Sequence, residues 1–148
     1  MPTQPPKAAL LASPDDVEAQ FYDAMREADL DKLMAVWADD DEVVCIHPGG
    51  PRLVGPAAVR AAFEAVFANG PVNVHPENVR RVQSMSASVH SVVERVDLST
   101  PEGGRTGWVM ATNVYVKTAQ GWRMVTHHAS PGTAQEPPEL VEMPSVLH

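Results

Sequence analysis

Three side chains in the sequence are suited to proton transfer. His47 ends the β-branched run VVCIH, directly before a Pro-Gly-Gly loop, and a histidine exchanges its proton near neutral pH. Glu94 lies in SVVERVDL, where strand alternation groups it with His90, Val92 and Val96. An inward-facing carboxyl is costly unless it is paired or protonated, and this is how a general base is tuned. With His128, these residues form the predicted acid–base group.

Other roles for these residues remain open from the sequence. An equally good interpretation of His47 is a polar residue at a strand end whose hydrogen-bonding groups are all paired. A register shift of one residue places Glu94 on the surface, beside an arginine. A bulge in the last strand decides which of His127 and His128 faces the pocket, since neighbouring strand residues point to opposite faces. For a metal site, His47, His128 and Glu94 would have to converge from three strands. No compact ligand spacing supports this, so no metal is predicted, and no cofactor.

The candidate ligand-binding residues come mainly from one predicted hairpin, ATNVYVKTAQGWRMVTHHAS, with its tip at Ala119 and Gln120. Pairing outward from that tip opposes Lys117 to Trp122, Tyr115 to Met124, Asn113 to Thr126 and Ala111 to His128. One face then carries Asn113, Tyr115, Trp122, Met124, Thr126 and His128. The side chains on this face combine large apolar parts with polar end groups, which suits a ligand pocket. Asn113, Tyr115 and Thr126 are therefore predicted to bind ligand. Trp37, on a short helix, is predicted to roof the pocket, with core packing as the alternative.

The elements that must position these residues are helices early in the chain and strands late in it. Apolar spacing predicts helices over 14–28 and 56–68, a shorter helix capped by Asp29, and a strand over 43–47. Four β-rich runs follow, at 72–82, 89–98, 108–117 and 121–129. This order predicts an α+β fold with helices on one face of a curved, mostly antiparallel sheet. Residues 14–131 form the single domain, between a flexible arm at 1–13 and a Pro- and Glu-rich tail at 132–148.

Composition limits the classes of partner that the protein is predicted to bind. The chain has 148 residues and a net charge of −8, without the clustered Lys and Arg that nucleic acids or anionic membranes require. One cysteine, Cys45, and no secretory signal or transmembrane stretch predict a cytoplasmic protein. The opposite hairpin face carries Trp108, Met110, Thr112, Val114, Val116, Val125 and His127. Its apolar content predicts a homodimer formed through the outer sheet face.

The order of elements resembles the nuclear-transport-factor-2-like superfamily. The stretches LMAVWADDDEVVCIHPGGPRLVGPAAVRAAFEAVF and ATNVYVKTAQGWRMVTHHAS are similar to its SnoaL-like branch. They are also similar to bacterial relatives of the calcium/calmodulin-dependent protein kinase II association domain. The resemblance implies a cone-shaped half-barrel with an internal pocket and a homodimer. His47 stands where the association domain has Glu, while Asn113 and Glu94 stand where it has pocket arginines. A role in acid binding or kinase partnership is therefore not carried over.

Two functions follow as hypotheses, because this fold serves many activities and only the site decides between them. The first is a cofactor-independent proton-transfer enzyme of isomerase or dehydratase type, acting on a small apolar or mixed-polarity molecule. The second is a non-catalytic ligand-binding or oligomerisation module resembling the kinase association domain. The sequence contains no motif specific to one reaction.

Overall fold

The computed structural model describes residues 11–133, which form three helices and one six-stranded sheet. The helices come mainly before the long strands, as predicted. In chain order the elements are α1 (Pro14–Glu27), α2 (Leu30–Met34), β1 (Val44–Ile46), β2 (Arg52–Val54), α3 (Pro56–Phe67), β3 (Val74–Gln83), β4 (Ala87–Thr100), β5 (Gly103–Thr118) and β6 (Gly121–Pro131).

Local chemistry sets the ends of the helices. The Ser13 side chain accepts a hydrogen bond from the backbone N–H of Asp16, and Pro14 occupies the first turn of α1. Asp29 caps α2 in the same way through the N–H of Lys32. α1 buries Val17, Phe21 and Met25, which recur every fourth residue and so share one face. The helix therefore packs as an amphipathic element over the sheet.

The sheet has the order β2-β1-β6-β5-β4-β3, and only β1 and β6 run parallel. It is strongly curved and unclosed, and the helices pack against it to form a cone-shaped half-barrel. This is the α+β architecture that the sequence predicts. Tyr115 and Met124 on the sheet, with Phe21 and Phe63 on the helices, are fully buried in the shared core.

A β-bulge in the last hairpin changes which residues face the core. The predicted pairs Lys117–Trp122 and Tyr115–Met124 are present, with the tip at Ala119 and Gln120. The register then shifts between Tyr115 and Val114, so that Val114 pairs with Thr126 and Asn113 with His127. The predicted pairs Asn113–Thr126 and Ala111–His128 are wrong, because one extra residue on a strand reverses every later side chain. His127 consequently points inward and is buried, whereas His128 is exposed.

Two further features differ from the sequence prediction. Residues 52–54, assigned to a loop, form β2 and pair antiparallel with β1. Leu11, placed in the flexible arm, is buried, and its carbonyl accepts a hydrogen bond from the backbone N–H of Trp122. The remainder of the predicted arm, and the tail beyond 133, lie outside the described residues. Within 11–133, no helix combines the length and apolarity needed to cross a membrane.

The start of β6 packs tightly on Leu11. Gly121 has φ +103°, and a Cβ there would lie 2.7 Å from the Leu11 carbonyl oxygen. Gly103 also has positive φ, +117°, but a Cβ there meets open space. Both Gly→Ala substitutions incur the backbone cost of about 1–3 kcal/mol. We expect Gly121→Ala to lose about 1–3 kcal/mol more, from the clash, in urea denaturation. Equal losses in the two variants would show that Leu11 does not approach β6 closely.

Candidate functional site

Glu94 is a carboxylic acid held inside the protein. It lies on the inner face of β4 and is 4% exposed, so the predicted strand alternation is correct and the surface alternative is wrong. The Tyr22 hydroxyl donates to Glu94 Oε2 at 2.6 Å. Burial raises the pKa of Glu94 to about 7. The hydrogen bond from Tyr22 lowers the pKa in part, and the charge of the nearby Glu18 raises it further. Glu94 can therefore gain and lose a proton near neutral pH.

A chain of hydrogen bonds leads from Glu94 to a histidine. Asn113 Nδ2 donates to the Tyr22 hydroxyl oxygen at 3.0 Å, and Asn113 Oδ1 lies 2.5 Å from His127 Nδ1. An amide oxygen only accepts, so Nδ1 of His127 must donate the proton. The tautomer is thereby fixed, and Nε2 is left with a free lone pair. Burial lowers the pKa of His127 to about 3, with smaller contributions from His47 and His128, so this imidazole is neutral.

Glu94 and His127 line a cavity of about 180 Å³ inside the cone. An apolar cavity of about 150 Å³ is large enough for benzene, so this one fits a single-ring or short branched molecule. Apart from Glu94, His127 and His47, the lining is apolar, and within residues 11–133 it includes no lysine or arginine. The other lining residues are Met25, Pro48, Phe63, Val66, Val72, Val74, Val96, Val109 and Ala129.

His47 brings a second imidazole to the same cavity. It follows the end of β1 and is half-buried, with its ring centroid 5.0 Å from that of Phe63. Burial lowers its pKa, which favours the neutral ring at neutral pH. Its Nε2 is buried and has no hydrogen-bond partner in the described part of the chain. His47 thus brings to the cavity lining an imidazole with one ring nitrogen unpartnered among residues 11–133.

The other predicted site residues lie elsewhere. Asn113 is buried behind the cavity wall and acts on Tyr22 and His127. Tyr115 is also buried, but its hydroxyl donates to Glu18 at 3.2 Å. Trp37 is buried beside Met124, to which it forms an isolated bridge, and it does not line this cavity.

The predicted inward orientation of Thr126 and His128 is wrong. The bulge turns both away from the cavity, and the sheet places them on its outer side. A convergence of His47, His128 and Glu94 on one metal ion is excluded for the same reason.

The sequence did not predict Tyr22 as a member of the candidate site, and it allowed His127 there only if the last strand is bulged. Tyr22 lies four residues after Glu18 on α1, and both side chains are buried beside the apolar stripe. This i, i+4 pair of polar residues next to an apolar face was the available signal. His127 was assigned to the outer face because a bulge leaves no mark in the residue types of this hairpin.

A larger open groove adjoins the cavity. It measures about 820 Å³ and shares Val66, Val72 and Val96 with the cavity lining. Among residues 11–133, the only titratable side chain lining the groove is Asp97. The groove's size exceeds that of the cavity, but the groups able to move protons are in the smaller space. We therefore interpret the groove as the entrance to the candidate site.

A cone-shaped α+β half-barrel with a partly polar internal cavity defines the class of this protein, and comparisons identify the family. The chain belongs to the SnoaL-like domain family, whose profile matches residues 15–134. No curated protein matches it. Its structural neighbours are nuclear-transport-factor-2-like proteins and bacterial proteins like the kinase association domain.

Three solved structures illustrate these similarities. A Thiobacillus denitrificans protein, provisionally described as a calcium/calmodulin-dependent protein kinase type II association domain, is 38% identical, with a TM-score of 0.76 over 84% of this chain and 98% of that one. A Streptomyces avermitilis protein, provisionally described as a dehydratase, is 27% identical, with a TM-score of 0.71 over 80% and 93%. The S. rosetta kinase II hub is 22% identical, with a TM-score of 0.63 over 89% and 100%, and shares the fold.

Two of the buried titratable groups, Glu94 and His127, give opposite dependences of stability on pH. The folded state holds the Glu94 proton more tightly than the unfolded chain, so this group makes stability fall as pH rises from about 4.5 to about 7. His127 holds its proton less tightly when folded, so it makes stability rise from about pH 3 to about 6.5. Between about pH 4.5 and 6.5 the two effects oppose each other.

Glu94→Gln removes one of these effects. We expect the stability of this variant, relative to wild type, to increase by about 1 kcal/mol per pH unit across that window. Urea denaturation at several pH values measures the difference. Glu102→Gln, at an exposed turn, is the control and should track wild type. If the Glu94→Gln and wild-type curves run parallel, the pKa of Glu94 is not raised.

Proposed function

We propose that this protein is a cofactor-independent enzyme that transfers a proton on a small neutral molecule bound in the cavity. The observation that carries the proposal is Glu94, a buried carboxyl that faces an apolar cavity and has a pKa of about 7. A general base works best when its pKa lies near the operating pH. A structural glutamate in this position would be expected to have a charged partner, whereas Glu94 receives a hydrogen bond from a neutral phenol.

The groups around the cavity suggest a division of labour. Ionised Glu94 takes a proton from a carbon next to a carbonyl group, and the electron pair moves onto the carbonyl oxygen. Neutral His47 donates a hydrogen bond to that oxygen, as an uncharged imidazole can in enzymes that form enolates. Glu94 then returns the proton to another carbon, which gives isomerisation, or to a departing hydroxyl, which gives dehydration and releases water.

Asn113 and His127 contribute positioning in this scheme. Asn113 holds the His127 tautomer so that Nε2 presents a lone pair, which accepts a hydrogen bond from a substrate hydroxyl. His128 has no part in the scheme because it faces outward. The lack of a cationic side chain along the cavity lining of the described chain favours a neutral substrate over an anionic one.

Proton transfer next to a carbonyl has a general assay that needs no knowledge of the natural substrate. Small cyclic ketones such as cyclohexanone, held in D₂O with the protein, exchange their α-hydrogens when a base removes them, and NMR follows the loss. We expect exchange above background in wild type and a decrease of about 10²–10⁴-fold in Glu94→Gln. His128→Gln is the matched control and should retain the wild-type rate. Equal exchange in wild type and Glu94→Gln across a ketone panel would contradict the proposal.

The alternative function is a non-catalytic ligand-binding or oligomerisation module. It is favoured by the similarity, at 38% identity, to a bacterial protein described as a kinase association domain. In that case Glu94→Gln would leave ligand affinity and assembly unchanged and no member of the ketone panel would exchange. Binding of a small molecule in the cavity is common to both functions. A cytoplasmic location stays a prediction from the single cysteine.

We further propose that the protein forms a homodimer through the outer sheet face. A row of directly opposed side chains crosses all six strands on that face, and five of its six members are valines. Val82, Val89 and Val54 are 76%, 40% and 44% exposed. Contiguous apolar surface of this kind is typical of a protein–protein contact. The row consists of Val82, Val89, Val114, Thr126, Val44 and Val54.

Val114 lies in the middle of this row and is half-exposed. Val114→Asp places a charge in the proposed contact, where burying it is costly, so we expect dissociation to monomers. Sedimentation velocity at micromolar concentration measures the change. Ala119→Asp, at the exposed hairpin tip, should leave the wild-type dimer intact. A monomeric wild type would contradict the proposal.

A further inference from the structure

A second polar cluster lies where α1 crosses β4. Glu18 and His90 are 5% and 0% exposed, and His90 Nδ1 lies 2.7 Å from Glu18 Oε2. The Tyr115 hydroxyl donates to the same oxygen at 3.2 Å. The proposed proton-transfer chemistry uses none of these three side chains. Buried polar groups of this kind usually have all their hydrogen-bonding capacity satisfied, so any exception calls for an explanation.

The exception is the second ring nitrogen of His90. Because the Glu18 carboxylate accepts, His90 Nδ1 carries a hydrogen, and the other ring nitrogen, Nε2, is left for a second interaction. Nε2 is buried and has no hydrogen-bond partner in the described chain. The Asp15 carboxylate oxygen Oδ1 lies 4.0 Å away from it. An unpartnered ring nitrogen and a carboxylate oxygen thus lie about as far apart as two ligands of one metal ion do.

We propose that Asp15 and His90 form a binding site for a divalent transition-metal ion of the Zn²⁺ type, with Glu18 beside them. Ligand atoms of the three residues all lie within 4.8 Å of one another. Zn²⁺ binds imidazole nitrogen and carboxylate oxygen at about 2.0–2.2 Å, so an ion fits between Nε2 and Oδ1 with little movement. Imidazole with carboxylates suits zinc, whereas magnesium and calcium prefer oxygen alone.

Glu18 supports this site by orienting the ring of His90. A metal-binding histidine commonly donates its other N–H to a carboxylate, which fixes the tautomer and orients the ring. The bond from His90 Nδ1 to Glu18 is of this type. Bound metal would tie the first turn of α1, which contains Asp15, to the middle of β4, which contains His90. The site is therefore structural, and it does not depend on the proposed reaction at Glu94.

One neighbouring side chain competes with the metal. Arg81 Nε donates to Asp15 Oδ1 at 2.8 Å, and the Arg81 side chain is 44% exposed. A metal ion must displace this guanidinium, which can move into solvent. Arg81 is thus predicted to weaken metal binding without belonging to the site. Removing Arg81 should raise the Zn²⁺ affinity and removing Asp15 should lower it. These opposite effects distinguish this site from non-specific binding of Zn²⁺.

The test is a titration of the full chain with Zn²⁺, followed by calorimetry and by NMR of the histidine side chains. We expect the His90 resonances to shift first and the melting temperature to rise. Asp15→Asn removes a direct ligand and should weaken Zn²⁺ binding by more than the about 10–100-fold typical of losing an outer-shell partner. Arg81→Gln should strengthen it. Asp16→Asn, an exposed acid in the same turn, is the matched control and should match wild type.

Several outcomes would overturn the site. Zn²⁺ that shifts other histidines but leaves His90 unchanged would assign the binding elsewhere. An Asp15→Asn affinity equal to that of Asp16→Asn would show that the carboxylate is not a ligand. The NMR measurement uses the wild-type protein, so the proposal remains falsifiable even if a variant folds poorly. Failure here would leave the ketone-exchange result unaffected, because the two sites share no residue.

Discussion

The burial of the Glu94 carboxyl beneath α1 is the constraint on which the site depends. Removing a carboxylate from water is costly, and among residues 11–133 the compensation is a hydrogen bond from Tyr22 rather than a cation. Partial compensation leaves the carboxyl with a pKa of about 7 instead of one well below neutral. An arginine in place of Tyr22 would satisfy the charge and lower the pKa of Glu94. The incomplete pairing of Glu94 is therefore the feature on which the proposed proton transfer rests.

Positioning that hydrogen bond requires the helix and the sheet together. Tyr22 comes from α1, whereas Glu94, Asn113 and His127 come from three adjacent strands. The bulge in the last hairpin completes the arrangement, because without the extra residue Thr126 would face Asn113 in place of His127. Bulges often redirect side chains beside functional sites. Here one turns an imidazole into the cone and sends its neighbour His128 to the surface.

The sequence predicted the architecture well and the site only in part. Helix caps, apolar spacing and long β-rich runs are local features, so α1, α3 and the antiparallel meander followed directly from the residues. The alternation of β4 also placed Glu94 correctly. His128 and Thr126 were misplaced because a bulge depends on packing between strands. Tyr22 was missed because its role arises only from contact with residues 72 and 91 positions away.

The central claim is that Glu94 titrates near neutral pH because it is buried and, in the part of the chain that the structure describes, receives a side-chain hydrogen bond only from Tyr22. Carbon-13 NMR of glutamate side-chain carboxyls, assigned by comparison with Glu94→Gln, measures this directly. The account predicts a midpoint at about pH 7 in wild type, and a still higher midpoint in Tyr22→Phe because the phenol's hydrogen bond stabilises the carboxylate. A midpoint near 4.5, the ordinary value for glutamate, would contradict it, as would a lower midpoint in Tyr22→Phe.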